Sequence, residues 1–371
     1  MISISNAEQK KMSLESERSE FLMPAEWEKH SATQLHWPSN KETWPGKHLE
    51  KVEAVYLNII SELSCYEKII LFVEDGEIQK RVSKLFLKNE INSSQVIIHE
   101  YPINDVWARD CGPIFVKDKN EFIITDWEYN AWGEKYPPWD SDNKLPRFLS
   151  EAYEIARISI NMVLEGGSID VNGVGDLITT ESVLLNPNRN PSLSKVEIEQ
   201  NLKKYLGVKN IIWLKAGLMG DDTDGHIDDL TRFLNEDTVL TMVCEDRNDV
   251  NYRALQENLE ILKSAKLHNG KSLRIKTLPL PNTKVDEATV DGYEYVPASY
   301  ANFYIANDCV LVPLYDKLHD LNALTLFRKY FPNREVIGIE CADLVWGQGS
   351  IHCITQQLYG ISKRLDKQKV I

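Results

Sequence analysis

The chain has 371 residues, of which 43% are hydrophobic and 26% charged, and its formal net charge is −14. This composition is typical of a globular protein with a sizeable core, and the acidic balance argues against nucleic acid as a partner, because phosphate binding needs a basic patch. An acidic field instead concentrates small cations, although solubility alone would also account for the charge.

Residues 1–21 are polar and of mixed charge, which predicts a flexible tail. They contain no apolar segment typical of a signal peptide, and no stretch of the chain approaches the roughly 18 apolar residues of a membrane helix. The six cysteines are scattered and form no CxxC pairs. We therefore expect a reduced, cytoplasmic protein without a membrane partner. Residues 22–371 are predicted to form a single domain, because no linker or break in composition interrupts them.

Five stretches have the apolar periodicity of amphipathic helices, and the third begins with a capping-box pattern formed by Ser194 and Glu197. These predicted helices cover residues 47–64, 77–88, 194–206, 251–265 and 320–331. Runs rich in β-branched and aromatic residues lie between them and predict strands. The predicted strands cover residues 68–75, 95–102, 113–127, 177–186, 210–215, 238–246, 273–280, 302–315 and 335–340.

A pattern of strand, polar elbow and hairpin, often followed by a helix, recurs along the chain. The five elbows are NDVWARDCGP (104–113), LEGGSID (164–170), DDTDGHIDD (221–229), PASYANF (297–303) and WGQGSIHC (346–353). Asp110 and His226 are 116 residues apart, and His226 and Cys353 are 127 apart. These intervals indicate five similar units with unequal insertions, and such units can close into a ring with short, protected edges.

Three of the elbows carry residues suited to nucleophilic catalysis. Cys353 offers a thiol whose thiolate is the nucleophile, and His226 can act as a base and then as an acid near neutral pH. Asp110 and Asp228 would suppress the thiolate, because nearby negative charge raises the pKa of a thiol. The combination is consistent if a guanidinium lies between them, since this planar cation pairs with carboxylates and favours the thiolate. The pattern therefore points to a guanidine substrate.

Each of these residues also has a structural interpretation. A single cysteine after small residues is usually buried and inert, and a His-x-Asp pair is usually structural. The acidic run 221–224 is also compatible with a solvated loop or a cation site. His226, Asp228 and Cys353, with His352 beside them, form a possible zinc set. That set is disfavoured, because His352 and Cys353 would point to opposite faces of a strand.

Longer motifs around these residues resemble those of agmatine deiminases, which belong to the guanidino-group-modifying (pentein) superfamily. They extend from about residue 22 over nearly the whole chain, and motifs of this length in this order are highly specific. The motifs are MPAEWEKHSATQLHWP (23–38), NDVWARDCGP (104–113), NAWGEKY (130–136), MVLEGGSIDVNG (162–173), LLNPNRNPSLSKVEIEQNLKKYLGV (184–208), DDTDGHIDD (221–229), ASYANFYIAN (298–307) and GSIHCITQQ (349–357).

The resemblance implies a fold and a set of catalytic residues. The fold is a five-bladed α/β propeller of ββαβ-type units with pseudo-fivefold symmetry, and neither a metal nor an organic cofactor is implied. Cys353 matches the nucleophile that forms an amidino-cysteine intermediate, and His226 matches the general acid/base. Asp110 and Asp228 match the carboxylates that bind the guanidinium. Glu165 matches an acid that orients the histidine or the hydrolytic water.

Other positions concern the substrate pocket. Trp107 matches an aromatic wall, where a cation–π contact is expected. Asp222 lies where agmatine-type enzymes often place a glutamate near the far amine, and a water could bridge the missing methylene. Gln348 and Ser350 depart from the sequence GGGNIHC common in the family, which implies a change at the pocket entrance or in the packing under Cys353.

The resemblance implies hydrolysis of agmatine to N-carbamoylputrescine and ammonia, a step of putrescine and polyamine biosynthesis, by a homodimer or larger homo-oligomer. Arginine would need a cationic clamp for its carboxylate, for which Arg109 and Arg232 are candidates, whereas the acidic run 221–224 suits an amine. The alternatives are a deiminase of free or peptidyl arginine, a cysteine protease or amidase that uses Cys353 and His226, and a non-catalytic polyamine-binding protein.

Overall fold

The computed structural model of the protein describes residues 21–285, 288–289 and 292–365. The predicted tail over residues 1–21 lies outside this described part, apart from Phe21. Pairing begins at the next residue, since Leu22 forms an antiparallel bridge with Lys117. None of the helices within the described ranges is long and apolar enough to cross a membrane.

Five small mixed sheets form the framework of the described chain. The strands, in the order in which they pair, are Gln356–Leu358, Ala32–His36, Ile69–Val73 and Val96–Glu100 in the first sheet; Ile114–Asp118, Glu121–Glu128 and Arg157–Val163 in the second; Ile169–Val171, Asp176–Thr180 and Asn210–Leu214 in the third; Thr231–Asn235, Thr238–Val243 and Arg274–Pro279 in the fourth; and Tyr304–Ile305, Cys309–Leu314 and Glu335–Glu340 in the fifth. The architecture is therefore mixed α/β.

One strand order is common to all five sheets: an antiparallel pair followed by a parallel third strand. In four sheets the antiparallel pair is a hairpin of consecutive strands. In the first sheet the pair joins the two ends of the described chain, because Gln356–Leu358 pairs with Ala32–His36. The recurring unit predicted from the elbows is thus present five times.

In each of the five units at least one helix connects the second and third strands, as expected for parallel crossovers, and Gly76–Lys88 connects the third and fourth strands of the first sheet. All five predicted helices are present, and the helix Leu145–Tyr153 was missed, together with several single turns. The helices are Lys47–Leu63, Gly76–Lys88, Ala108–Cys111, Ala131–Glu134, Leu145–Tyr153, Glu181–Leu184, Lys195–Leu206, Tyr252–Ser264, Asp320–Tyr330, Ala342–Val345 and Ser362–Leu365, with 3-10 turns at Ser93–Gln95, Asp142–Lys144, Gly166–Ser168 and Ile227–Asp229.

Local sequence signals account for several of the element boundaries. The helix Lys195–Leu206 begins with the predicted capping box of Ser194 and Glu197 and ends at the left-handed Gly207. The strand predicted over 177–186 is too long, since the chain turns into a short helix after Thr180.

The five elbows occupy equivalent places in the fold. Each elbow directly precedes the first strand of its sheet, and three of them contain a short helical turn: Ala108–Cys111, Gly166–Ser168 and Ile227–Asp229. Hydrogen bonds join neighbouring elbows, including Gly167 N to Asp110 Oδ1 at 2.9 Å. The repeat therefore brings the polar residues of distant segments to one place.

Candidate active site

Asp110 is fixed by two donors from other segments. Trp132 Nε1 donates to Asp110 Oδ2 at 3.0 Å, and Gly167 N donates to its Oδ1 at 2.9 Å. Burial and the nearby carboxyl group of Glu165 raise the pKa of Asp110 to about 7, because both disfavour the charged form. A bound cation would restore the charge of this carboxyl group.

His226 lies among three acids without a direct hydrogen bond to them. Its Nδ1 is 3.7 Å from Asp110 Oδ1 and 3.9 Å from Asp228 Oδ1, and its Nε2 is 4.0 Å from Glu165 Oε2. Burial and the charge of Arg189 hold the pKa of His226 well below its usual value. The imidazole is therefore neutral near pH 7 and able to accept a proton.

An arginine binds one of the two carboxyl oxygens of Glu165. Arg189 Nε donates to Glu165 Oε1 at 2.5 Å, and both side chains are fully buried. Arg189 also donates to Asp224 Oδ2 at 2.7 Å, so its charge is shared between two acids. The second oxygen of Glu165 is left facing His226.

Cys353 lies in a turn before the last strand, and its sulfur faces Asp228 Oδ2 at 3.9 Å. Asn302 Nδ2 donates to the sulfur at 3.1 Å. Burial, together with the carboxyl groups of Asp228, Asp229 and Asp110, raises the pKa of the Cys353 thiol well above its usual value. These acids thus suppress the thiolate as the sequence predicts.

His352 does not line the pocket and instead contacts the carboxyl group of Asp228. Its Nδ1 lies 2.7 Å from Asp228 Oδ2 and its Nε2 2.8 Å from Glu26 Oε2. Burial and two neighbouring arginines lower the pKa of His352, while burial and the nearby carboxyl group of Asp110 raise the pKa of Asp228. His352 thus links the carboxyl groups of Asp228 and Glu26 through its two ring nitrogens.

Three buried atoms around this group have no hydrogen-bond partner among the described residues. They are Glu165 Oε2, His226 Nε2 and Asp228 Oδ1. Buried polar atoms are nearly always paired, so an unpaired cluster beside a cysteine indicates a place for a ligand. Two of the three atoms are carboxyl oxygens, which favours a ligand that donates hydrogen bonds.

A pocket of about 790 Å³ opens above Cys353 and Asp110. Trp107 forms part of its wall, as predicted, together with Trp132 and Tyr136. Among the described lining residues, acids outnumber lysines by six to two: Glu42, Glu74, Asp105, Asp110, Asp142 and Asp222 against Lys41 and Lys135. The pocket is therefore suited to a cationic ligand with an apolar stem.

The acidic run 221–224 is not a solvated loop. Asp222 is 9% exposed, lines the pocket, and accepts a hydrogen bond from Tyr136 Oη at 2.6 Å. Asp221 instead supports the elbow, since its carboxyl group accepts from Thr223 N at 2.9 Å and His226 N at 3.1 Å. Asp222 thus lines the pocket, whereas Asp221 stabilises the elbow.

Arg109 and Arg232, the two candidate partners for a substrate carboxylate, do not line the pocket. Arg109 donates to Glu26 Oε2 at 3.0 Å and to Gln357 Oε1 at 2.7 Å. Arg232 pairs with Glu26 Oε1 at 3.0 Å and Asp170 Oδ1 at 2.7 Å. Both arginines are at most 4% exposed, so these partners hold them in the interior.

The alternative zinc set does not assemble as suggested from the sequence. Within the described residues, the one group with metal-ligand spacing is Asp228, Asp229 and Cys353, whose ligand atoms lie within 4.8 Å of one another. His226 is outside this group, and His352 binds Asp228 and Glu26. The turn at Cys353 also replaces the strand that the sequence argument assumed.

Several residues of the site were not singled out from the sequence. Trp132 and Asn302 lie inside motifs that carry the family resemblance, so position in a motif was the available signal. Glu26 and Arg189 also lie inside such motifs, but their roles depend on contacts between separate segments of the chain.

The sequence matches the family described as Porphyromonas-type peptidyl-arginine deiminase over residues 22–358. The chain belongs to this family. A relative from Legionella pneumophila (strain Paris), named a "putative agmatine deiminase", is 38% identical over 339 residues, which is 91% of this chain and 95% of the relative.

Solved structures extend the likeness to the fold. An agmatine deiminase of Enterococcus faecalis has a TM-score of 0.83 and 32% identity, with 96% of this chain and 98% of that chain covered. A cysteine-to-serine variant of C. jejuni agmatine deiminase with substrate bound has a TM-score of 0.82 and 30% identity, with 92% and 96% covered.

Proposed function

We propose that this protein is an agmatine deiminase, which hydrolyses a guanidinium C–N bond of agmatine to give N-carbamoylputrescine and ammonia. The observation that carries the proposal is the cluster of Glu165 Oε2, His226 Nε2 and Asp228 Oδ1 beside Cys353, unpartnered among the described residues. A guanidinium offers the donors that these carboxyl oxygens lack. The names of the relatives agree with this assignment.

In the first half-reaction, Asp110 and Asp228 bind the guanidinium and bring its carbon to Cys353. The bound cation lowers the pKa of the thiol, and neutral His226 accepts the thiol proton. The thiolate then forms a C–S bond. The imidazolium returns the proton to one amino group, whose C–N bond breaks as ammonia leaves. Cys353 is left as an amidino thioether.

In the second half-reaction, water takes the place of ammonia. His226 removes a proton from the water, and Glu165 orients the histidine or the water. A C–O bond forms, the C–S bond breaks, and a proton returns to the sulfur of Cys353. The ureido product is neutral, and the remaining proton leaves with ammonia as ammonium.

Agmatine fits the pocket better than arginine does. An arginine carboxylate needs a cationic partner, but Arg109 and Arg232 are held by Glu26 in the interior. Of the two lysines that line the pocket, Lys135 pairs with Asp224 and Lys41 is exposed to solvent. The far amine of agmatine needs an acceptor, and Asp222 lines the pocket. The proposed bond from that amine to the Asp222 carboxyl group is direct or bridged by a water.

The second candidate is a deiminase of free or peptidyl arginine, which the description of the family favours. Agmatine, arginine and an arginine-containing peptide should therefore be compared side by side, with ammonia and the ureido product as readouts. We expect turnover of agmatine and its loss in Cys353→Ala. Hydrolysis of arginine without hydrolysis of agmatine would contradict the substrate, and full activity of Cys353→Ala would contradict the mechanism.

Four broader features belong to this proposal. The common strand order of the five sheets supports a single five-bladed α/β propeller with pseudo-fivefold symmetry over residues 22–371. The unpaired cysteines support a cytoplasmic enzyme of putrescine and polyamine biosynthesis. A homodimer or larger homo-oligomer is suggested by the family resemblance alone. Catalysis without a metal or organic cofactor agrees with a mechanism that needs only the side chains named above.

A further inference from the structure

Gln348 has an unusual backbone conformation for its residue type. Its φ is +75°, in the left-handed region that favours glycine. Glycines flank it and pack against tryptophan rings: a Cβ added at Gly347 would lie 2.4 Å from the Trp44 ring, and one at Gly349 would lie 2.2 Å from the Trp107 ring. The backbone of this loop is therefore pressed against an aromatic layer on both sides of Gln348.

The side chain of Gln348 is buried in the pocket wall without a partner. It is 7% exposed, and neither Nε2 nor Oε1 has a hydrogen-bond partner among the described residues. It lines the same pocket as Cys353 and Trp107. A buried side-chain amide that makes no hydrogen bond is rare and calls for a ligand or an ordered water.

A purely structural account explains only the backbone. Gln348 follows the helix Ala342–Val345, and its N donates to Val345 O at 2.9 Å, as at many helix ends. Glycine would fill that role with less strain, and it would leave no amide to be satisfied. The glutamine side chain thus has a use that the helix end does not supply.

We propose that Gln348 is a substrate-binding residue whose side-chain Oε1 accepts a hydrogen bond from a cationic N–H group of the guanidine substrate. This inference rests on the proposed function. A neutral amide adds a directional acceptor without placing another negative charge beside Cys353, where Asp110 and Asp228 already lie. The Nε2 group is left to donate to water or to the carbonyl oxygen of the ureido product.

Two substitutions of similar size separate the acceptor from the shape of the side chain. Gln348→Met keeps the length and removes both polar atoms, whereas Gln348→Glu keeps an acceptor. We expect kcat/KM for agmatine to fall about tenfold in the methionine variant, as for one lost hydrogen bond to a charged group. The charge of the glutamate variant opposes the Cys353 thiolate, so this variant is compared by affinity alone. Agmatine affinity, measured calorimetrically with each substitution combined with Cys353→Ala, should fall in the methionine variant and be kept in the glutamate variant.

A matched pair of glycine variants separates the loss of the side chain from the relief of backbone strain. Gln348→Gly and Glu90→Gly both place glycine at a left-handed position, and Glu90 is exposed and remote from the pocket lining. Only Gln348→Gly should lose agmatine affinity. Wild-type affinity and kcat/KM in Gln348→Met would overturn the inference, while a wild-type protein that releases no ammonia from agmatine would overturn the proposed function.

Discussion

The side-chain amide of Asn302 donates a hydrogen bond to the sulfur of Cys353. Asn302 Oδ1 accepts from His352 N at 2.8 Å and Cys353 N at 3.4 Å, and backbone N–H groups can only donate. The orientation of this amide is therefore determined, and its Nδ2 must face Cys353 Sγ and Asp229 Oδ1. Together with a backbone hydrogen bond from Ser350, this amide favours the thiolate while the neighbouring acids oppose it.

We expect Asn302→Ala to raise the pKa of the Cys353 thiol further, because the variant loses a donor that favours the charged form. The measurement is the pH dependence of Cys353 alkylation by iodoacetamide without substrate. Asn258→Ala is the matched control, since Asn258 is equally buried and bonds only to Lys215 N and Ala216 O. An unchanged alkylation profile in Asn302→Ala would contradict the role of the amide.

The raised pKa of Asp110, about 7, predicts a pH dependence of binding. Asp110 binds a guanidinium in its ionised form, so agmatine affinity should fall as the pH falls below about 7, by up to about tenfold per pH unit for one proton. Calorimetry with Cys353→Ala in buffers of different ionisation enthalpy should detect proton release on binding. This release should shrink in Asp110→Asn, and a constant affinity from pH 5 to pH 8 would rule out the assignment.

At the scale of elements, glycines allow the elbows to pack so closely that no space is left for a side chain at the contacts. A Cβ at Gly167 would lie 2.6 Å from His226 Nδ1 and 2.7 Å from Asp110 Oδ1. A Cβ at Gly166 would instead lie 2.2 Å from the carbonyl oxygen of Arg109. Gly167 thus borders side chains of the candidate site, and Gly166 borders the backbone.

These neighbours predict different outcomes for two adjacent substitutions. Gly167→Ala should lower kcat/KM for agmatine about 100-fold, because it displaces His226 and Asp110. Gly166→Ala should lower the free energy of unfolding by about 2–3 kcal/mol, because backbone must move. Steady-state kinetics and urea denaturation of both variants give the comparison.

Gly76→Ala is the control for these two variants. The added Cβ would meet only the end of the Glu100 side chain, at 3.1 Å. It should therefore change neither activity nor stability appreciably. Equal loss of activity and equal loss of stability in Gly166→Ala and Gly167→Ala would contradict the division between them.

The sequence predicted the long helices well and the strands less completely. Helices such as Lys47–Leu63 were found because their apolar periodicity extends over several turns. The strands Ile169–Val171 and Gln356–Leu358 were missed, because three residues are too few for a pattern. Their places are determined by pairing with partners in the same sheet.

The candidate site shows the same division. The motifs identified Cys353 and His226, whose proximity the structure reproduces through their shared neighbour Asp228. The supporting contacts of Trp132 and Asn302 could not be predicted, because they depend on how separate elbows meet.

At the scale of the whole molecule, Glu26 links segments from most of the chain. It pairs with Arg109 and Arg232, accepts from Ile305 N at 2.8 Å, and faces His352 at 2.8 Å. These partners lie in, or just before, strands of four different sheets. Burial alone would raise the pKa of Glu26, yet Arg232, His352 and Arg109 together hold it well below its usual value.

We expect Glu26→Gln to lower the free energy of unfolding by about 3–5 kcal/mol, because two buried arginines lose their shared counter-charge. The contribution should be present above the ordinary pKa of a glutamate and disappear as the pH falls through the lower pKa of the folded protein. Urea denaturation at several pH values measures both effects. Glu151→Gln is the control, because Glu151 forms only an exposed pair with Arg147 and its loss should leave stability unchanged.

The pairing of Gln356–Leu358 with Ala32–His36 has a consequence for how the chain is made. During synthesis the first sheet stays one strand short, with an open edge, until Gln356–Leu358 has left the ribosome. The segment just before this strand carries Cys353 and the His352 partner of Glu26. A nascent chain that has not yet produced this segment is therefore both unfinished in its first sheet and without its proposed nucleophile, so that the sheet and the candidate site are completed by the same late step.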